Sequence, residues 1–144
     1  MSLLNVFDVS GSAMAAQSVR LNTTASNLAN AQSVSKNPED TYRARHPLFA
    51  EQLAGAFDGP LHGGRGPDAG GVAVLDIIES QAPLDFRYEP NHPYANEEGF
   101  VAYPNVSPVE EMANMISASR SFQLNVEVMN TARTLAERVL NLGQ

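Results

Sequence analysis

The first thirty residues carry almost no charge. Between Met1 and Ser35 there is one acid, Asp8, and one base, Arg20. The segment nevertheless has a helical period. Phe7, Met14, Leu21 and Leu28 recur every seven residues, and Leu4, Gly11, Ser18 and Ala25 form a companion row three positions earlier. Such a pattern predicts a helix from about Leu4 to about Ser33, with large residues on one row of a seam and mostly small ones on the other. A solvated helix face normally displays Lys and Glu at helical spacing. Here Asn, Gln, Ser, Thr and Ala stand there instead, so several faces are expected to touch protein. Small residues allow a second helix to come close, a plausible reason to keep Gly11 despite a cost of about 1 kcal/mol relative to Ala.

A second helix is announced at the other end. Ser107-Pro108-Val109-Glu110 places a capping Ser, a Pro at the first helical position and a Glu three residues after the cap. The helix should run from Pro108 to Leu142, with Gly143 as its stop. Its seam reads Met112, Met115, Ser119, Phe122, Val126, Met129, Arg133, Ala136 and Leu140. A further apolar stripe, Leu124, Val128, Leu135, Val139 and Leu142, lies on another face and is left for a different molecule. The two helices would be about 45 and 50 Å long.

Between them the character changes. Asn37-Pro38 is a turn signal. Tyr42–Leu53 could be a strand or a short helix. Gly59–Gly71 holds six Gly and two Pro and reads as a flexible loop. Val72–Ser80 is apolar and β-branched. Leu84, Phe86 and Tyr88 alternate with Asp85, Arg87 and Glu89, the signature of a half-buried strand. Phe100–Tyr103 is a further short strand. The expected fold is mainly α with a small β-rich insert. Its long terminal helices would pack as an elongated, antiparallel, coiled-coil-like hairpin. The divisions are 1–35, 36–107 and 108–144.

Charge and composition limit function. The net charge is −7, and residues 36–108 alone hold eleven acids against five bases. Scattered basic residues on an acidic chain argue against nucleic acid. No apolar run is long enough to cross a membrane. The opening stretch lacks the basic and apolar regions of a secretory signal peptide, so any export is expected by another route. With no cysteine, disulfides and thiol chemistry are excluded. His46, His62 and His92 are isolated, and no metal-ligand spacing, nucleophile motif or phosphate-binding glycine loop is present. Glu97-Glu98 is read as part of a solvated loop and Glu110-Glu111 as part of the capping box. No enzyme, cofactor or metal is expected. Two helices alone bury little core, so the spare stripe predicts oligomerisation. Met112, Met115 and Met129 suit a surface that meets non-identical neighbours. Asn27 and Asn30 fit either capping near a helix end or hydrogen bonding between subunits.

Several stretches resemble a known family. Residues 20–33, RLNTTASNLANAQS, resemble the N-terminal signature of bacterial flagellar rod and hook proteins. The opening MSLLNVFDVSGSAMAAQSVRLNTTASNLAN, the pieces YRARHPLF, ESQAP and HPYANEEGFVAYPNV, and EEMANMISASRSFQLNVEVMNTARTL are similar to proximal rod members in particular. The likeness covers both ends and most of the middle, Gly59–Gly71 excepted. It implies a structural subunit of the flagellar basal body, in the rod within the periplasm, exported by the flagellar type III apparatus without a cleaved signal. The terminal helices would assemble into a hollow tube that transmits torque and passes later subunits. Implied neighbours are further copies of the chain, FlgB, FlgF, FlgG and the adaptor FliE. The likeness carries Asn27, Leu28, Ala29 and Asn30, with Met112–Phe122 and Val126–Leu140, to the helical core between subunits. The subunit-interface residues are therefore expected to be Leu4, Phe7, Gly11, Met14, Leu21, Asn27, Leu28, Asn30, Met112, Met115, Phe122, Val126, Met129 and Leu140. A soluble helical adaptor or export chaperone is the alternative from another class, and a cell-wall hydrolase is the enzymatic one.

Overall fold

A computed structural model describes residues 3–53 and 69–142, with side chains for 5–52 and 70–141. Helix α1 spans Leu3–Asn30 and helix α2 spans Pro108–Leu142. Between them lie a short 3-10 turn, Pro38–Asp40, and strands β1 (Arg45–Leu53), β2 (Ala69–Glu79), β3 (Asp85–Tyr88) and β4 (Phe100–Tyr103). The chain is mainly helical with a β insert, as expected. Within the expected loop, Gly59–Asp68 lie outside the described residues. Ala69–Gly71, by contrast, already belong to strand β2. The expected helix stop, Gly143, also lies outside them.

Each helix end has a local cause. The last turn of α1 closes through Ala31 N–H to Leu28 O at 3.3 Å and Ser33 N–H to Asn30 O at 3.0 Å. The helix therefore stops three residues before the expected Ser33. Helix α2 starts where the Ser-Pro signal placed it, with Glu111 N–H on the Ser107 carbonyl at 3.0 Å. Glu110 and Glu111 occupy its first turn, where the exposed N–H groups favour negative charge.

The residues fall into two compact units. The first comprises Met1–Val19, Leu48–Asp76 and Ala118–Gln144. In it, strand β2 comes close to helix α1. Val72 N–H donates to Ser12 Oγ at 3.1 Å, and that hydroxyl donates to Val9 O at 2.9 Å. Gly71 has φ +112, and a side chain there would strike Ser12 Oγ. Only glycine takes that backbone and that approach without strain.

The second unit comprises Arg20–Pro47 and Ile77–Ser117. Strands β3 and β4 pair antiparallel, with Asp85 opposite Tyr103 and Tyr88 opposite Phe100. Gly99, at φ 83, turns the chain into β4 beneath Tyr88 and Pro90. Val101 and Ala102 of β4 are buried. The expected half-burial of β3 does not occur, because all four of its residues are exposed. Strand β3 is one edge of a two-stranded sheet, and among the described residues no further strand pairs with its outer side. Phe86 and Tyr88 remain 54% and 66% exposed, and Tyr88 meets Phe100 edge-on at 5.4 Å.

Candidate assembly site

The buried faces of the helices are small and polar. On α1 the buried residues are Ser10, Ala16, Thr23, Thr24 and Asn27, followed past its end by Ala31. On α2 they are Glu111, Ala118 and Ala132, spaced in multiples of seven. That row precedes by one residue the expected Met112, Ser119 and Arg133 row. The other expected row of α2 (Met115, Phe122, Met129, Ala136) is half-buried. On α1, Phe7, Gly11, Met14, Leu21, Leu28 and Asn30 are likewise half-buried. Val126 is half-buried, whereas Met112 and Leu140 are 48% and 73% exposed. The side chain of Leu4 lies outside the described residues. An apolar-period search selects the rows that flank the buried one, because the buried one is made of Ser, Thr, Ala, Asn and Glu.

The spare stripe of α2 is open. Leu124, Val128, Leu135 and Val139 are 62%, 47%, 50% and 60% exposed, and Leu142 falls outside the described side chains. Runs of this kind at helical spacing mark interaction surfaces on a folded chain. Leu75, Ile77 and Ile78 of β2 are also exposed.

Asn27 is the most completely engaged side chain. It is 0% exposed. Its Nδ2 donates to the Arg45 carbonyl at 2.8 Å and to Glu111 Oε2 at 3.1 Å. Its Oδ1 accepts from Tyr42 O–H at 2.8 Å and from Arg45 N–H at 2.9 Å. Sequence reasoning left Glu111 to the capping box beside Glu110. The structure turns it inward, only 4% exposed, onto Asn27. No short-range signal separates those two glutamates. Two turns earlier on α1, Arg20 donates to Asn114 Oδ1 at 3.1 Å. Asn30 bonds only locally, to Ser26 O at 2.8 Å.

A second asparagine ties the neighbouring chain segments. Asn105 Oδ1 accepts from Ala44 N–H at 2.8 Å, and its Nδ2 donates to Ala82 O at 2.9 Å. Arg45 reaches Glu79 at 2.9 Å. Among the described residues Gln17 Oε1 is buried without a partner, a polar cost of about 1–3 kcal/mol.

Nothing in this arrangement resembles reaction chemistry. Among the described residues no group of three or more His, Asp and Glu is placed to hold a metal ion. His46 is exposed, and His92 Nδ1 accepts the Tyr94 N–H at 3.2 Å. His62 lies outside the described residues. Tyr103 ionises above the usual tyrosine range. Burial pushes its phenol up, and the hydrogen bond and charge of Glu89 add to that, against the lowering effect of Arg87. No described helix is long and apolar enough to cross a membrane.

Comparison with known proteins gives the arrangement its context. Residues 7–34 match the family model described as flagella basal body rod protein. Residues 97–142 match the C-terminal model of flagellar basal body rod FlgEFG proteins. The flagellar basal-body rod protein FlgC of Escherichia coli O6:H1 is 49% identical over 144 residues, all of both chains. FlgC of Salmonella typhimurium is also 49% identical over all of both chains. FlgC of Bacillus subtilis is 33% identical over 150 aligned positions, again covering both chains completely.

Proposed function

This chain belongs to the FlgC family of flagellar basal-body rod proteins, and from that membership we propose that it builds the proximal rod through its terminal helices. It is a structural subunit of the basal-body rod and not an enzyme. Family membership also means assembly with other rod and basal-body proteins. The finer reading is as follows. Helices α1 and α2 pack as an antiparallel, coiled-coil-like pair, and pairs from successive subunits form a hollow tube. The interface draws on the half-buried Phe7, Gly11, Met14, Leu21 and Leu28 of α1 and Met115, Phe122, Val126 and Met129 of α2, on the exposed Met112 and Leu140, and on Leu4 at the start of α1 and Asn30 at its end. The tube crosses the periplasm, carries torque and passes later subunits. Neighbours are further copies, FlgB, FlgF, FlgG and FliE, and delivery is by the flagellar export apparatus without a cleaved signal.

The observation that carries this reading is the open stripe Leu124, Val128, Leu135 and Val139 on a helix long enough to meet several neighbours. Long staggered helices spread a torsional load over many weak contacts. A proline at Leu28 removes a backbone hydrogen bond near the end of α1 and costs about 3 kcal/mol. A strain carrying Leu28→Pro as its sole copy should assemble no rod beyond this subunit and should not swim. Normal swimming in that strain would refute the reading.

A further inference from the structure

We propose that Asn27, at the centre of the Asn-Leu-Ala-Asn stretch, acts inside one subunit as the positioning residue of the second unit and makes no bond to a neighbouring subunit. This rests on the rod-subunit reading but replaces the inter-subunit role that the resemblance implied for Asn27. A carboxamide offers two N–H donors and two acceptor sites on its oxygen. All four are used within the chain, by Tyr42, by Arg45 twice and by Glu111. The residue has no exposed surface to present to another molecule.

The partners show what the bonds do. Arg45 opens strand β1, and both its N–H and its carbonyl are held by Asn27. The carboxamide thus stands in for a peptide group of a neighbouring strand and fixes where β1 begins relative to α1. Glu111 lies in the first turn of α2, so the same side chain fixes that turn against α1. The adjoining contacts extend the setting. Arg45 holds Glu79, and Asn105 holds Ala44 and Ala82. Residues 77–117 are thereby tied to the Arg20–Asn30 stretch of α1 within the second unit. Asp cannot donate to Arg45 O or Glu111, Gln is longer by a methylene, and Ala removes the partner of Arg45 N–H, Arg45 O and the buried Glu111 Oε2 and leaves Tyr42 O–H with Ser26 alone. The position therefore requires asparagine.

The test uses the purified full-length chain and reads hydrogen exchange at the Arg45 amide together with thermal stability. N27A should accelerate Arg45 exchange by about a hundredfold, the scale of several lost buried hydrogen bonds. N27D should lower the melting temperature, because two carboxylates then face each other. E111Q alone should change little, since its amide oxygen still accepts from Asn27. The double variant N27D/E111Q exchanges donor for acceptor and should recover at least half of the N27D loss. This swap remains decisive if N27A fails to fold. Unchanged Arg45 protection in N27A, or a double variant no better than the sum of its singles, overturns the proposal. So does an N27A chain with normal melting and exchange that nonetheless builds no rod. All the supporting readouts come from the isolated chain. Failure there leaves rod membership untouched, and rod membership is tested separately by the presence of the protein in purified basal bodies.

Discussion

Leu124, Val128, Leu135 and Val139 form the open stripe of α2, and replacing all four separates folding from assembly. The changes Leu124→Gln, Val128→Thr, Leu135→Gln and Val139→Thr keep length or shape, and none places Gly or Pro in the helix. The four residues leave 62%, 47%, 50% and 60% of their surface open. Covering that surface removes roughly two whole aliphatic side chains from water, about 3–6 kcal/mol at about 1.5–3 kcal/mol per side chain. Loss of that contribution weakens each subunit contact on the order of a hundredfold to ten-thousandfold. The isolated chain loses little, because substitutions at exposed positions usually stay within about 0.5 kcal/mol each. Circular dichroism melting of the purified chain should therefore move by only a few degrees. Swimming and incorporation into basal bodies should disappear when the variant is the sole copy. Full motility with normal incorporation would show that the stripe binds nothing. A collapse of the melt equal to the full 3–6 kcal/mol would show that these residues are core of the single chain.

Two further measurements probe single positions. Gly71→Ala should destabilise the chain by about 1–2 kcal/mol, from an unfavourable positive φ aggravated by collision with Ser12, and an unchanged melting temperature would contradict the close approach of β2 to α1. Tyr103 should ionise above the ordinary tyrosine value of about 10, since burial and Glu89 both favour its neutral form. Because the folded value is raised, the associated stability is complete below pH of about 10 and is lost as pH climbs through the folded value. Absorbance titration near 295 nm should show a late-ionising tyrosine that is lost in Tyr103→Phe and ionises earlier in Glu89→Gln, and a Glu89→Gln curve identical to that of the parent chain would refute the assignment.

The extent to which the fold could be read from sequence follows from the range of the forces involved. The α2 start at Pro108 was legible because Ser107, Pro108 and Glu110 act over one helical turn. The strand at Val72–Ser80 was legible from its apolar, β-branched run, although β2 begins earlier, at Ala69, where two glycines suggest a loop. Apolar period locates apolar rows, and here it located the half-open ones. The buried row of Ser10, Thr24, Asn27 and Glu111 carries no hydrophobic signal. For Asn27 and Glu111 the determinant is a hydrogen bond between residues 84 positions apart. Such a pairing is a property of the tertiary fold and leaves no trace in local spacing. The open stripe was legible for the opposite reason: a helix face that no described residue covers keeps its apolar pattern intact.

Gly11 brings these arguments to a single residue. The sequence suggested that it is small so that another helix can come close. Among the described residues, a Cβ built at Gly11 meets nothing within 4 Å. The described residues therefore supply no steric reason for glycine. Glycine inside α1 costs about 1 kcal/mol against alanine, through backbone freedom retained in the unfolded state. Gly11→Ala should accordingly raise the stability of the isolated chain by about 0.5–1 kcal/mol, seen as a small increase in melting temperature. If a neighbouring subunit passes closely over this point, the same added methyl should hinder incorporation into the rod. The two effects have opposite signs and cannot be confused with general misfolding. A variant that melts higher and assembles less well places a subunit contact at Gly11. A variant that melts higher and swims normally removes Gly11 from the interface and leaves the flanking rows at Phe7 and Met14 to make the contact without it.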